Sequence, residues 1–145
     1  MPDAPVFTLE SANALLPQLN LIIGEQMQRR DLLEVKMAAL TALLGKVPDA
    51  LDPTADDLPE VADLRAEASA LLAEYRRVWE EIEELGVVLK DPRRGLVDFY
   101  GHVDGKLVWL CWQYGEAEVS HYHRLEEGFP GRKAIVQAAR QRLLN

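Results

Sequence analysis

Apolar residues recur at spacings of three and four along the first 85 positions, and the period then shortens to two. Leu19, Ile23, Met27, Leu33, Met37, Leu40 and Leu44, with Arg30 among them, mark one face of a long amphipathic helix. Val61, Leu64, Ala68, Leu71, Tyr75, Val78, Ile82 and Leu85 alternate steps of three and four, a heptad seam that requires a partner helix. Each seam spans about 40 Å at 1.5 Å per residue. Between them Gly45 stands at a helix C-cap position, and KVPDALDPTADDLP, with its prolines and aspartates, reads as a loop. So short a connection returns the chain antiparallel. The pattern predicts helices over 8–44 and 56–86, folded as a coiled-coil-like hairpin.

Thr8 is the expected N-cap of the first helix, although Ser11 stands where a capping box would carry Glu or Gln. Pro17 leaves two options. Either the helix kinks there, or a short first turn ends and a new helix starts with Pro17 at its first position. After Gly86, the segments VVLKDP, LVDFYGHV, KLVWLCWQY and AEVSHYHRL read as strands, with Asp104-Gly105 as a type I′ hairpin signal and Gly115-Glu116 as a further turn. The expected fold is α+β: a long antiparallel two-helix hairpin, a small antiparallel sheet of three to four strands over 87–125, and a short terminal helix over 133–144. At 145 residues this is one domain, 1–145. Two helices alone make a thin core, so the surplus apolar surface of Leu72 and Trp79 is expected to meet the C-terminal part or a second subunit.

Charge narrows the partners. A net charge of -8 repels a phosphate backbone, which disfavours nucleic acid. Acids concentrate in 52–85, whereas the tail from Arg132 holds four bases and no acid; the asymmetry permits contact between copies, but a solvated acidic face is the expected reading. No apolar run reaches the roughly 20 residues of a membrane span, and MPDAPVFTLE lacks the features of a signal peptide. The single cysteine, Cys111, forms no internal disulfide. A cytoplasmic protein is expected.

The stretch VSHYHRLEEGFPGR holds the candidate chemistry. On a strand, His121 and His123 project from one face, where Glu126 or Glu127 could complete a divalent-metal set and Cys111 could join from the neighbouring strand. The bland alternative is a pair of half-exposed histidines. Cys111 lies in LVWLCW and is otherwise a small core hydrophobe. Arg132, after a Gly-Phe-Pro-Gly turn, either latches the loop to Glu116, Glu126 or Glu127, or holds an anionic ligand beside His123.

Two blocks, FTLESANALLP at 7–17 and the segment 85–132 containing LGVVLKDPRRGLVDF and VWLCWQYGEAEVSHYHRLEEGFPGR, resemble a small bacterial family catalogued as a domain of unknown function. The family pattern falls on Asp91, Gly95, Asp98, Phe99, Cys111, Trp112, Gly115, Glu116, His123, Glu127, Gly128, Phe129, Gly131 and Arg132. His121 stands where the family tends to carry an aromatic or apolar residue, and Tyr122 where it has tryptophan. The resemblance implies no activity, but it moves attention to His123 with Glu116, Glu127, Asp98 and Arg132. Three functions fit these residues: a non-enzymatic interaction module that forms a homodimer or binds a protein partner, a metal-binding or hydrolytic site at His123 with His121 and Glu127, and anion binding at Arg132 and His123.

Overall fold

The computed structural model describes residues 5–135. It is an α+β protein in element order α1 (Leu9–Ala14), α2 (Leu16–Leu44), α3 (Pro59–Glu84), β1 (Val88–Asp91), β2 (Leu96–Val103), β3 (Lys106–Gln113), β4 (His121–His123), a 3-10 turn (Phe129–Gly131) and β5 (Lys133–Ala134). Two compact units are formed, one from the segments up to Gly24 and from Glu81 onward, the other from Glu25–Glu80.

The unit Glu25–Glu80 is the body of the helical hairpin. Gln26 reaches the backbone of Tyr75 (2.8 Å) and Lys36 pairs with Glu67 (2.8 Å), so contacts on α3 move backward as those on α2 move forward, which is antiparallel packing. Leu40, Val61 and Ala68 are buried at its centre, flanked by Leu33, Met37, Leu44, Leu51 and Leu64. Both seams read from the sequence therefore face one another. The exception is Gln26, fully buried, which gives its amide to the Tyr75 carbonyl and its oxygen to Arg29. A single paired polar side chain in such a seam disfavours slipped registers. Arg65 fastens the returning loop through Asp57 and the Ala50 carbonyl, and Gly45 ends α2 at φ 73°, the left-handed conformation glycine adopts freely.

In the other unit, the single helix expected over 8–44 is split at Leu15, and α2 restarts at Leu16 with Pro17 in its first turn, the second of the two options. Thr8 caps α1, and Ser11 completes the capping box with its hydroxyl, which accepts the Thr8 amide at 2.9 Å. The sheet runs β1-β2-β3-β4-β5, antiparallel throughout. It has five strands rather than three or four, because Lys133 and Ala134, expected to open the terminal helix, pair with β4. The rest of that helix, from 136, lies outside the described residues. Asp104 and Gly105 both have positive φ (53° and 80°), as a type I′ turn requires.

One face of the sheet holds Val97 and Phe99 opposite Trp112 and Leu110, all fully buried. Phe7 meets Phe99 edge-on at 5.1 Å and forms a parallel bridge to Gly101, where a Cβ would stand 2.6 Å from Leu110 and 3.1 Å from the Phe7 carbonyl. Glycine at 101 is what lets the N-terminal segment approach. The other face carries the polar groups.

Candidate functional site

Side chains alternate across a strand, and cross-strand partners share a face. The register Asp98↔Cys111↔His121 and Tyr100↔Trp109↔His123 therefore gathers an aspartate, a thiol and two imidazoles on one side of β2, β3 and β4. This face is covered: Asp98, Cys111 and His123 are all buried. Donor atoms of these three side chains lie within 4.8 Å of one another, and they form the one such three-residue set among the described residues.

Hydrogen bonds define the protons. His123 Nδ1 lies 3.0 Å from the Arg124 carbonyl, which can only accept, so Nδ1 carries the hydrogen. Nε2 then faces Asp98 Oδ2 at 2.9 Å. A lone pair and a carboxylate cannot hold that distance alone, so one proton must lie between them, on the imidazole or on the carboxyl. Burial raises the Asp98 carboxyl above its ordinary range, opposed by the charge of His123. Its second oxygen, Oδ1, is buried and meets no hydrogen-bond donor among the described residues. Burial, and then the neighbouring Asp98 carboxylate, push the Cys111 thiol up to about 12. As a free thiol Cys111 is no nucleophile.

Beside this trio lies an ion pair. Arg132, reaching back from the end of the 3-10 turn, forks onto Glu116, with Nη1 at 3.2 Å from Oε1 and Nη2 on Oε2. Nη2 also donates to His121 Nδ1 at 2.7 Å, and Nη1 lies 3.9 Å from Cys111 Sγ. A guanidinium only donates, so Nδ1 of His121 is an acceptor and the ring is neutral. Burial and then the Arg132 charge lower the His121 pKa. Burial acts to raise Glu116, but the Arg132 fork and the Gln113 amide (2.7 Å) outweigh it and hold the carboxyl below its usual range.

Both shifts make stability fall with acid, in two windows. Below about pH 6.5 an unfolded chain protonates His121 while the native chain resists, so native stability declines as pH falls through that value. The Glu116 contribution is intact above about pH 4.3 and is lost as pH drops through the lowered native value. Urea titrations at stepped pH should show both declines. His121→Gln should flatten the first and Glu116→Gln the second.

The sequence-derived set is thus divided. Asp98 and His123 meet in the buried trio, joined by Cys111. Glu116, Arg132 and His121 form the adjoining clasp, with Arg132 bound to His121 rather than to His123. Glu127 belongs to neither: its carboxylate accepts from the Arg124 amide (3.2 Å) and side chain (3.1 Å), closing its own loop. Hence His121, His123 and Glu127 are not gathered as a metal set, because the first has Arg132 on its ring nitrogen and the last has Arg124. Arg94, on the β1–β2 turn, was not singled out in the sequence, yet it lies over the Phe129 ring at 4.1 Å.

A family model described as "Uncharacterized conserved protein (DUF2203)" matches residues 5–135. The chain belongs to this family. The match spans the helical hairpin, the sheet and the turn that carries Phe129, so the buried trio and the Arg132 clasp both lie inside the family's extent. No curated protein and no solved structure matches the chain. Among the described residues no helix is long and apolar enough to cross a membrane.

Proposed function

We propose that the chain is a metal-binding protein whose centre is made by Asp98, Cys111 and His123. The observation that carries this reading is the orientation of His123: its Nδ1–H is held by the Arg124 carbonyl, which turns the Nε2 lone pair toward the carboxylate and thiol. Backbone anchoring of one ring nitrogen is how a metal-binding histidine is fixed. A mixed nitrogen, oxygen and sulfur set suits a divalent transition metal of the zinc class, and aspartate with thiolate would neutralise a dication. A cation would also give Asp98 Oδ1 the partner it lacks. Three protein ligands leave one tetrahedral position for water or a ligand. Placement in the cytoplasm, where thiols stay reduced, fits this ligand set.

The test uses full-length protein without a histidine tag. One equivalent of zinc or cobalt should bind, with thiolate-to-cobalt charge-transfer absorption that Cys111→Ser abolishes. Zinc at one hundred times its Kd should add about 2.7 kcal/mol of stability, removed by chelator. Asp98→Asn separates metal from fold, since its amide can donate to His123 Nε2 in place of the shared proton. It should fold normally and bind metal at least tenfold more weakly, as ligand loss does. Equal metal binding by wild type and Cys111→Ser would overturn the reading.

A second reading, self-association through the hairpin, is favoured by one observation: Leu32, Val35 and Leu43 are exposed on α2. Their spacings of three and eight keep them on one helix face. Sedimentation equilibrium should give a dimer that Val35→Glu dissociates. A monomer at high micromolar concentration would end this reading.

A further inference from the structure

Phe129 holds two cations. The guanidinium carbon of Arg94 lies 4.1 Å from its ring centroid and that of Arg132 lies 4.7 Å from it, so the two charges are no farther apart than the sum of those distances. Each is attracted to the ring, but each repels the other. Arg132 is neutralised by Glu116. Arg94 is exposed, its one hydrogen bond among the described residues runs to the neutral Gln113 side chain at 3.3 Å, and no acid faces it there. In a chain of net charge -8, an arginine placed against a second arginine, with no acid in ion-pair contact among the described residues, lacks a direct counter-charge.

The backbone holds this arrangement in place. Arg94 sits in the turn Pro92–Gly95, where Asp91 accepts the Arg93 amide at 3.0 Å and the Gly95 carbonyl accepts the Tyr114 amide at 3.0 Å. Phe129 is fixed by the 3-10 turn, whose Phe129 carbonyl accepts the Arg132 amide at 3.0 Å. A guanidinium carries five donors in a planar fork that matches a phosphate, and Arg94 uses one of them here.

We infer that Arg94, Phe129 and Arg132 form an oxyanion clamp for a phosphate group, free or as a phosphomonoester, at the edge of the Asp98–Cys111–His123 centre. Arg132 joins the two, since its Nη1 is 3.9 Å from Cys111 Sγ. The inference names the ligand class of the centre proposed above and rests on that reading for its role, though not for binding itself. Phosphate binds with Arg94 as its main partner, and Arg132 shares its charge between the anion and Glu116.

Calorimetric titration of the full chain with inorganic phosphate and with glycerol phosphate, in chloride buffer, tests it. Arg94→Ala is a surface change that should leave the fold intact and weaken phosphate binding roughly tenfold or more, the worth of a charge-assisted bond. Arg94→Lys should recover part of it. Asp98→Asn, deficient in metal, should bind phosphate as the wild type does. Tighter binding of the ester than of inorganic phosphate assigns a phosphomonoester, and the reverse assigns free phosphate; either outcome keeps the clamp. Equal binding by Arg94→Ala and wild type, or no binding by the wild type, overturns it. Loss of binding in Asp98→Asn but not in Arg94→Ala would place the anion on the metal, sinking the clamp while supporting the centre. Absence of metal from a wild type that still binds phosphate through Arg94 would sink the centre and leave the clamp.

Discussion

His123→Ala should destabilise the protein by about 3–5 kcal/mol in urea titrations, the usual cost of leaving one member of a buried ionisable pair without the other. Asp98 is fully buried, and His123 supplies the contact at Oδ2 while Oδ1 has no donor. Truncation of the imidazole therefore leaves the buried carboxyl with only the weak Cys111 thiol donor beside it and adds a cavity where the ring stood. Part of the loss should be recoverable. In Asp98→Ala combined with His123→Ala the orphaned acid is gone, and the double variant should be more stable than the two single losses predict, by an amount within the 0.5–3 kcal/mol typical of directly coupled residues. Strict additivity would mean that the two side chains do not act as a pair.

Trp112→Ala should be comparably severe, about 3–5 kcal/mol, with an unchanged denaturant slope. Trp112 is fully buried on the apolar face of β3, opposite to Cys111, and meets Tyr114 edge-on at 6.3 Å. Its indole N–H also donates to the Glu116 carbonyl at 3.0 Å. The residue thus joins the core to the turn that presents Glu116 to Arg132. Trp112→Phe keeps most of the apolar volume and removes the donor, so its cost should fall to about 1–3 kcal/mol, the penalty of one part-buried carbonyl left without its partner. A cost for Trp112→Phe as large as that for Trp112→Ala would show that the hydrogen bond, not the packing, dominates.

Residues 5–135 match the family model, so variants at Asp98, Cys111, His123 and Arg132 test features within the family's span. The position of Arg94 before Gly95 shows how closely clamp and fold are joined. Gly95 adopts φ 62°, its carbonyl fixes β3 through Tyr114, and the arginine beside it is held by the same turn.

Local rules were sufficient for much of this protein. Heptad spacing placed Val61, Ala68 and Ile82 inside, because a helix buries a stripe whose period is set by its own geometry. Asp104-Gly105 specified a two-residue hairpin, and that turn determines the β2–β3 register by counting outward to Asp98 opposite Cys111. Two of the three members of the buried trio were therefore legible in the chain. Proximity of His123 was not, since seven residues of irregular chain separate β3 from β4 and allow several registers. Nor could alternation reveal that both faces of β2 and β3 are covered, or that His121 and Glu127 would be taken by Arg132 and Arg124. Sequence set the periods, the caps and the tight turn, which depend on neighbours within a few residues. Tertiary structure decided which donors converge, because that depends on how strands and a distant loop pair, and on which charged group reaches each nitrogen or oxygen.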